Sequence, residues 1–287
     1  MPMSDLQVAP PVEDTVTDVM TTWVVTISPT DTLLQARDMM TSNRVSQLVV
    51  VDQRKRPSGF VSKRDIARFL LEDPTTRHLG DMFVHEASSE SIRTLRSDLR
   101  VLNAARMFDT ENLSYTIITN EKPVAGIMTE TDLTHYFARK FPSKFKVEEF
   151  MVRDFVFAKS SYPIVHVAHD IVYRQASVPI IDEELVGLMT LSDLLAIREV
   201  APKHGGFYFK SKTASDVALI TVKDLMTQNP VTAQGETDLA QAAQIIINKG
   251  VSALPVVDKE SHVVGLLTKH DVVRALGRIG SSLTPEA

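Results

Sequence analysis

The chain has 287 residues, of which 44% are hydrophobic and 23% are charged, and this composition is typical of a globular protein with a buried core. The net charge of −5 argues against bulk polyanion binding, and the absence of cysteine excludes disulfides, thiolate catalysis and cysteine-ligated zinc. We find no apolar run of about 18 residues and no signal-peptide pattern in segment 1–14, so we expect a cytoplasmic protein without a membrane span.

One octapeptide pattern occurs four times along the chain. It consists of Gly, two apolar residues, Ser or Thr, two variable positions, Asp and a final apolar residue. The copies occupy residues 59–66, 126–133, 187–194 and 265–272. Four copies of one pattern predict an internal repeat, which has to be recognised before the fold is assigned.

The first repeat is predicted at residues 15–75, after a flexible N-terminus at 1–14. A short strand at 24–27 precedes a turn and a helix, because apolar residues follow helical spacing from Leu33 to Met40. A continuous apolar strand at 46–52 is followed by a second strand at 59–61 and a helix. The repeat is therefore predicted to be a βαββα unit.

The same order predicts repeat 2 at 76–141, repeat 3 at 146–202 and repeat 4 at 218–280. Repeat 2 is predicted to carry an inserted polar stretch at 86–98, and repeat 3 a helix from Ile164 to Tyr173. The last helix of repeat 4 is predicted to end at Leu276, because Gly277 is a typical helix stop. Residues 203–217 are predicted to be a basic and aromatic connector, and 281–287 a disordered tail.

The repeat resembles the cystathionine beta-synthase (CBS) domain, two of which form a Bateman module. The octapeptide motif carries the resemblance in all four repeats, and an opening Met-Thr and a Val-Thr strand support it in repeats 1 and 4. Four repeats without another domain resemble the nucleotide-sensing gamma subunit of AMP-activated protein kinase and stand-alone microbial CBS proteins. The resemblance implies an α/β fold of four βαββα repeats in two Bateman modules, 15–141 (module 1) and 146–280 (module 2).

The Ser/Thr-x-x-Asp part of the motif has a purely structural explanation. A hydroxyl and an acid three residues apart at a helix start form a capping box, and the motif glycines can be turn residues entering a strand. The same elements also suit a ligand, because a helix N-terminus attracts phosphate and a carboxylate accepts hydrogen bonds from a ribose diol. An apolar strand beside them offers packing for a flat base, so these parts together predict an adenosine site.

The resemblance and this chemistry assign candidate residues to each part of the ligand. The predicted ribose ligands are the motif acids and hydroxyls Asp65, Asp132, Asp193, Asp271, Ser62, Thr129, Thr190 and Thr268. The residues predicted to border the base are Thr26, Thr232, Pro179 and Pro255. The predicted phosphate ligands are Lys63, Arg64, Arg44, Lys269 and His270. Because Glu130 would repel phosphate, repeats 1 and 4 are the favoured phosphate neighbourhoods.

Catalysis is not expected from this sequence. It contains no phosphate loop, dinucleotide turn, nucleophile elbow or zinc-protease motif. His166 and His169 are spaced to share a metal, but no third ligand is evident, so we assign neither catalytic nor metal-binding residues. No cofactor is required, and AMP, ADP or ATP is expected as a regulatory ligand.

The predicted function is adenine-nucleotide sensing, with signalling to an unidentified protein partner by rearrangement of the modules. Two alternatives stay open. The basic and aromatic connectors at 139–146 and 203–217 could contact RNA or a ribosome, and the clefts could be empty in a structural scaffold. A homodimer is possible, and no membrane partner is expected.

Overall fold

The computed structural model of this protein describes residues 14–73, 77–120, 124–196 and 220–283. In module 1 the strands and α-helices are β1 Thr26–Ile27, α1 Leu33–Ser42, β2 Gln47–Val51, β3 Pro57–Ser62, α2 Lys63–Glu72, α3 Val84–Ala87, β4 Thr94–Arg96, α4 Val101–Thr110, β5 Tyr115–Thr119, β6 Gly126–Thr129 and α5 Glu130–Lys140. In module 2 they are α6 Ile164–Tyr173, β7 Ser177–Ile181, β8 Leu185–Thr190, α7 Leu191–Leu195, β9 Thr227–Gln228, β10 Ala233–Gln234, α8 Leu239–Lys249, β11 Ala253–Val257, β12 Val263–Thr268 and α9 Lys269–Leu283. This alternation confirms the predicted α/β fold of tandem repeats.

Each repeat contains one small sheet with the same pairing. In repeats 1, 2 and 4 a first strand runs parallel to the second, and the third is antiparallel to the second, as in β1-β2-β3. In repeat 3 a parallel bridge between Ala158 and Ile180 takes the place of the first strand. The second strand is therefore central in every repeat, which explains its continuous apolar sequence.

The opening segments of the repeats are exchanged within each module. Each one begins with a single 3₁₀ turn, at Val16–Asp18, Leu79–Asp81, Val147–Glu149 and Val222–Asp224. The segment before β1 then bridges from Thr21 to Ile127 of repeat 2, and Ser89 of repeat 2 bridges to Phe60 of repeat 1. In module 2, Val152 bridges to β12, and β9 pairs with β8. Each opening segment thus lies against the last strand of the other repeat.

The sheets face each other inside a module, and the helices join the two modules. In module 1 the rings of Phe60 and Tyr115 pack with centroids 4.5 Å apart, and in module 2 Leu188 packs with Ala253 and Leu266 between the sheets. One large buried cluster combines the helices of repeats 2 and 4, and another combines those of repeats 1 and 3. The four repeats therefore share two continuous helical cores.

The predicted end of the last helix is wrong. α9 continues through Gly277 to Leu283, so residues 281–283 are helical, while 284–287 lie outside the described residues. A Cβ atom at Gly280 would lie 2.9 Å from the carbonyl oxygen of Leu102 in α4. The glycines of this helix therefore permit close packing of α9 on α4, and they do not terminate it.

The predicted polar insertion in repeat 2 is also wrong in part. β4 lies inside residues 86–98 and pairs in parallel with β5, with Leu95 opposite Ile118. Leu95 is buried, whereas its neighbours in β4 are exposed. A strand of three residues with a single apolar position gave too little alternation to be recognised from sequence.

The first connector packs against the protein. Phe141 stacks near Phe137, and Phe145 contacts Phe150 with ring centroids 5.0 Å apart. Lys146 is paired with Glu236. Predictions for residues 1–13 and for the connector at 203–217 concern segments outside the described residues. Among the described helices, none is long and apolar enough to cross a bilayer.

Candidate functional site

All four motif acids form capping boxes at the start of the last helix of their repeat. In repeat 4, Oδ2 of Asp271 accepts from the backbone N–H and from the hydroxyl of Thr268, both at 2.7 Å. The corresponding pairs are Ser62 with Asp65, Thr129 with Asp132 and Thr190 with Asp193. Oδ2 of each acid is therefore bound within its own capping box, and Oδ1 makes the remaining contacts of the carboxylate.

The second oxygen divides the four sites into two classes. In repeats 2 and 3 it accepts from a threonine of the exchanged segment, since Thr21 donates to Asp132 at 2.8 Å and Thr227 to Asp193 at 3.4 Å. In repeats 1 and 4 it is paired with an arginine one helical turn later. These pairs are Arg68 with Asp65 at 2.9 Å and Arg274 with Asp271 at 3.1 Å. A ribose would replace a neutral hydroxyl in the first class and a guanidinium in the second.

Burial affects the pKa of two of these acids. Burial raises the pKa of Asp193 and of Asp271 above the usual value of 3.8, and the hydrogen bonds from Thr190 and Thr268 oppose this shift. Additional hydrogen-bond donors, such as the hydroxyls of a diol, would stabilise the charged carboxylate further.

A side chain of repeat 2 lies beside the capping box of repeat 1. Tyr115 begins β5, packs on Phe60 and lies near the side chain of Ser62. Burial raises the pKa of Tyr115 to about 12, and the nearby carboxylate of Asp65 adds to this effect. The phenol therefore lies close to the capping box of repeat 1. The equivalent first residues of β7 and β11, Ser177 and Ala253, are small.

Two lysines cross from one module to the other. Nζ of Lys63, at the start of α2, lies 3.0 Å from Oγ of Ser192 in α7, and Nζ of Lys269, at the start of α9, lies 3.0 Å from Oγ1 of Thr131 in α5. Burial lowers the pKa of both lysines. The charge of Asp193 opposes that shift at Lys63, whereas the charge of Lys269 adds to it. At Lys269 the charges of Glu130 and, to a smaller extent, Asp132 oppose the shift. Each lysine is therefore close to the motif acid of the opposite module.

The remaining predicted phosphate ligands have different surroundings. Nδ1 of His270 lies 3.0 Å from Oε1 of Glu130 across the module interface, and this hydrogen bond raises the pKa of His270. Arg64 is exposed on α2, and Arg44 is exposed in the turn after α1, where its φ is 54°. Their roles toward phosphate stay predictions.

The predicted base-bordering residues lie on the first and second strands. Thr26 is exposed in β1 opposite Val49, and Thr232 directly precedes β10. Pro179 and Pro255 are buried in β7 and β11, each opposite a leucine of the neighbouring strand.

The motif glycines have a role that was not recognised from sequence. They lie within strands, and none has a left-handed φ, so they are not turn residues. A Cβ atom at Gly59 would lie 2.5 Å from the carbonyl oxygen of Ser89, and one at Gly126 would lie 2.7 Å from that of Thr21. At Gly187 and Gly265 it would meet a methionine sulfur at 2.4 and 2.7 Å. The glycines therefore make room for the exchanged segments, and the repeated methionine in those segments was the available signal.

Comparison with protein families agrees with this architecture. The model of the CBS domain matches residues 16–72, 147–199 and 222–278, which together exceed half of the chain. The chain belongs to the CBS domain family. Repeat 2 lies outside the matched ranges, yet in this CBS protein it forms the same three-stranded sheet and the same capping box.

Similar proteins include one of nearly equal length. Protein MJ1225 of Methanocaldococcus jannaschii is 23% identical over 268 residues, covering 88% of this chain and 94% of that protein. Its crystal structure, described as that of a candidate archaeal homologue of the gamma subunit of AMP-activated protein kinase, superposes with a TM-score of 0.81 over 91% of this chain and 99% of that one. An uncharacterised protein from Pyrococcus horikoshii has a TM-score of 0.63 at 17% identity, covering 92% of this chain and 100% of that one. These likenesses show the fold.

A plant relative covers a shorter part of the chain. The chloroplastic CBS domain-containing protein CBSX1 of Arabidopsis thaliana is 34% identical over 125 residues, which is 38% of this chain and 53% of that protein. This similarity is consistent with the repeats being the unit that the relatives share.

Proposed function

We propose that this CBS protein senses adenine nucleotides, which bind in the clefts between paired repeats and change the relation of the two modules. The observation that carries the proposal is the approach of Lys63 to the Asp193 helix and of Lys269 to the Asp132 helix, with Nζ 3.0 Å from a hydroxyl of the opposite module in both cases. A carboxylate suited to a ribose and a cation suited to a phosphate thus lie together, as a nucleotide requires.

The lysines also supply a physical route from binding to signalling. Each belongs to one module and would contact a phosphate held by the other, so a bound nucleotide adds a link across the interface. A ligand shifts a conformational equilibrium only if it binds one arrangement better than another. Here the nucleotide would favour the arrangement of the modules in which both lysines contact the phosphates, and a protein partner would bind one arrangement in preference to the other.

The four sites differ in what a nucleotide must displace. In repeats 2 and 3 the ribose would replace a threonine hydroxyl on Asp132 or Asp193. In repeats 1 and 4 Arg68 or Arg274 must first release its acid. We therefore expect the Asp132 and Asp193 sites to bind first, while Asp65 and Asp271 remain predicted ribose ligands.

Calorimetric titration of AMP, ADP, ATP and adenosine into the full chain tests the proposal. Lys63→Met and Lys269→Met retain the apolar stem but remove the charge, so each should weaken ATP binding at its site by about 10- to 100-fold, the typical effect of losing a charged hydrogen bond. Both should leave adenosine binding nearly unchanged. Lys249→Met, at the exposed end of α8, is the matched control and should alter neither.

Substitution of the motif acids tests the ribose contact, which ATP and adenosine share. Asp132→Asn and Asp193→Asn keep an oxygen for the capping box but remove the charge, so they should weaken ATP and adenosine alike, because both ligands carry the ribose. Heats equal to those of buffer for all four ligands in the unaltered protein would refute nucleotide sensing and favour a scaffold with empty clefts.

A further inference from the structure

Glu130 is the first residue of α5 and lies at the contact between repeats 2 and 4. Its side chain is only 20% exposed, so its charge is weakly screened by water. Its Oε1 lies 3.0 Å from Nδ1 of His270, the second residue of α9. The next residue of α5, Thr131, accepts a hydrogen bond from Lys269, the first residue of α9, at 3.0 Å. Glu130 therefore lies beside both cations that repeat 4 directs towards the Asp132 helix.

The carboxylate of Glu130 acts on both of these cations. Its hydrogen bond is the largest cause that raises the pKa of His270. At Lys269 burial lowers the pKa, and the charge of Glu130 is the largest effect that opposes this shift. A phosphate that enters here would therefore meet cations that already interact with an acid, and it would also meet the charge of that acid.

The contact between repeats 1 and 3 has the same layout with an uncharged residue in place of the acid. Leu191 begins α7 at the position that Glu130 has in α5, and the next residue, Ser192, accepts a hydrogen bond from Lys63 at 3.0 Å. Leu191 packs against the buried cluster of repeats 1 and 3. The acid whose charge acts on Lys63 is Asp193, which is itself a predicted ribose ligand. The two halves of the protein therefore differ in charge at the predicted phosphate positions.

We propose that Glu130 is a specificity-determining residue, which makes the Asp132 site favour adenosine ligands with little negative charge at the 5′ position, whereas the Asp193 site favours the triphosphate. This inference deepens the proposed function and rests on it. Adenosine is uncharged, AMP is negatively charged and ATP carries more negative charge than AMP, so repulsion by Glu130 increases in that order. Because the base and the ribose are common to the three ligands, a repulsive group beside the phosphates changes only their relative affinities.

Glu130 also contributes to the contact between the modules through His270, and the two roles predict different results. A structural role alone would change the stability of the interface and would affect the binding of all three ligands alike. A role in specificity changes the affinity for ATP relative to that for adenosine. The ratio of these two affinities is therefore the quantity that separates the roles.

Calorimetric titration of adenosine, AMP and ATP into the full chain measures this ratio, with one site weakened at a time. In Asp193→Asn, which leaves the Asp132 site intact, Glu130→Gln should tighten ATP binding about tenfold and AMP binding less, because it removes a like charge but keeps an oxygen that can accept from His270. Adenosine affinity should stay within about twofold. In Asp132→Asn, which leaves the Asp193 site intact, Leu191→Glu should weaken ATP binding about tenfold and leave adenosine binding nearly unchanged.

Two uncharged variants serve as controls. Leu191→Gln matches Leu191→Glu in size and polarity but adds no charge, and Glu183→Gln removes an exposed acid from the turn between β7 and β8. Neither should change the ratio of ATP to adenosine affinity. Urea unfolding checks that each variant is folded, and if Leu191→Glu is not, the Glu130→Gln result decides alone.

The outcomes separate this inference from the proposed function. An unchanged ratio in Glu130→Gln, with both ligands still bound, would overturn the role of Glu130 and leave nucleotide sensing intact. An equal gain for ATP and adenosine would assign the effect to the structure of the site and would also overturn that role. Equal losses of ATP affinity in Leu191→Gln and Leu191→Glu would overturn the charge argument at the Asp193 site. Absence of binding for all three ligands in every variant would overturn both proposals.

Discussion

The exchange of opening segments makes a quantitative prediction at Gly59. A Cβ atom there would lie 2.5 Å from the carbonyl oxygen of Ser89 and 3.3 Å from its carbonyl carbon. These are backbone atoms, and they are fixed because Phe60 and Ser89 exchange two hydrogen bonds of 3.0 and 2.8 Å. Gly59→Ala must therefore displace the exchanged segment.

The expected cost combines two effects. Overpacking a well-packed site typically costs about 1–3 kcal/mol, and weakening two backbone hydrogen bonds adds about 0.5–1.5 kcal/mol each. The two effects do not simply add, because movement of the exchanged segment relieves the steric overlap but weakens its hydrogen bonds. We therefore expect Gly59→Ala to lower the free energy of unfolding by about 2–4 kcal/mol.

Urea unfolding followed by circular dichroism measures this change. Gly80→Ala is the matched control, since a Cβ atom at Gly80 would meet its nearest neighbour, Cδ2 of Leu34, at an ordinary 3.8 Å. The control should unfold within about 0.5 kcal/mol of the unaltered protein, as surface substitutions usually do. Equal unfolding midpoints for Gly59→Ala and Gly80→Ala would refute the argument that the motif glycine makes room for the exchanged segment.

Three further predictions concern the module interface. The hydrogen bond with Glu130 is the main cause that raises the pKa of His270 above 6.5. The stabilisation of the fold by protonated His270 is therefore complete below pH 6.5 and is lost as the pH rises through the raised pKa. His270→Gln should lower the free energy of unfolding more in acidic than in alkaline buffer, and an equal decrease in both buffers would contradict this. Gly280→Ala places a Cβ atom 2.9 Å from the carbonyl oxygen of Leu102 and should cost about 1–3 kcal/mol in urea unfolding, whereas an unchanged midpoint would mean that α9 and α4 can separate freely. Burial lowers the pKa of Lys269, so a bound phosphate should raise this pKa and cause proton uptake in alkaline buffers. Calorimetry in buffers of different ionisation enthalpy should detect the uptake in the unaltered protein and less of it in Lys269→Met.

The local parts of the fold were predictable because their interactions span only a few residues. The helix from Ile164 to Tyr173 has the predicted bounds, since its apolar residues keep one helical face. The four capping boxes form as the motif predicts, because a hydroxyl and a carboxylate three residues apart at a helix start can reach only the nearby backbone groups. The repeat and its family resemblance also followed from sequence alone.

Other features depend on residues that are distant in the chain, and no local pattern specifies their partners. Lys63 meets Ser192, and Lys269 meets Thr131, because the helices of the two modules pack together. The role of the motif glycines follows from segments that cross to the neighbouring repeat, and the contact of Glu130 with His270 follows from the position of α5 beside α9. The sequence by itself determined the repeat, the central strand of each repeat and the helix caps. Only tertiary packing decided which cation faces which carboxylate, because long-range contacts are selected by the complementarity of whole surfaces.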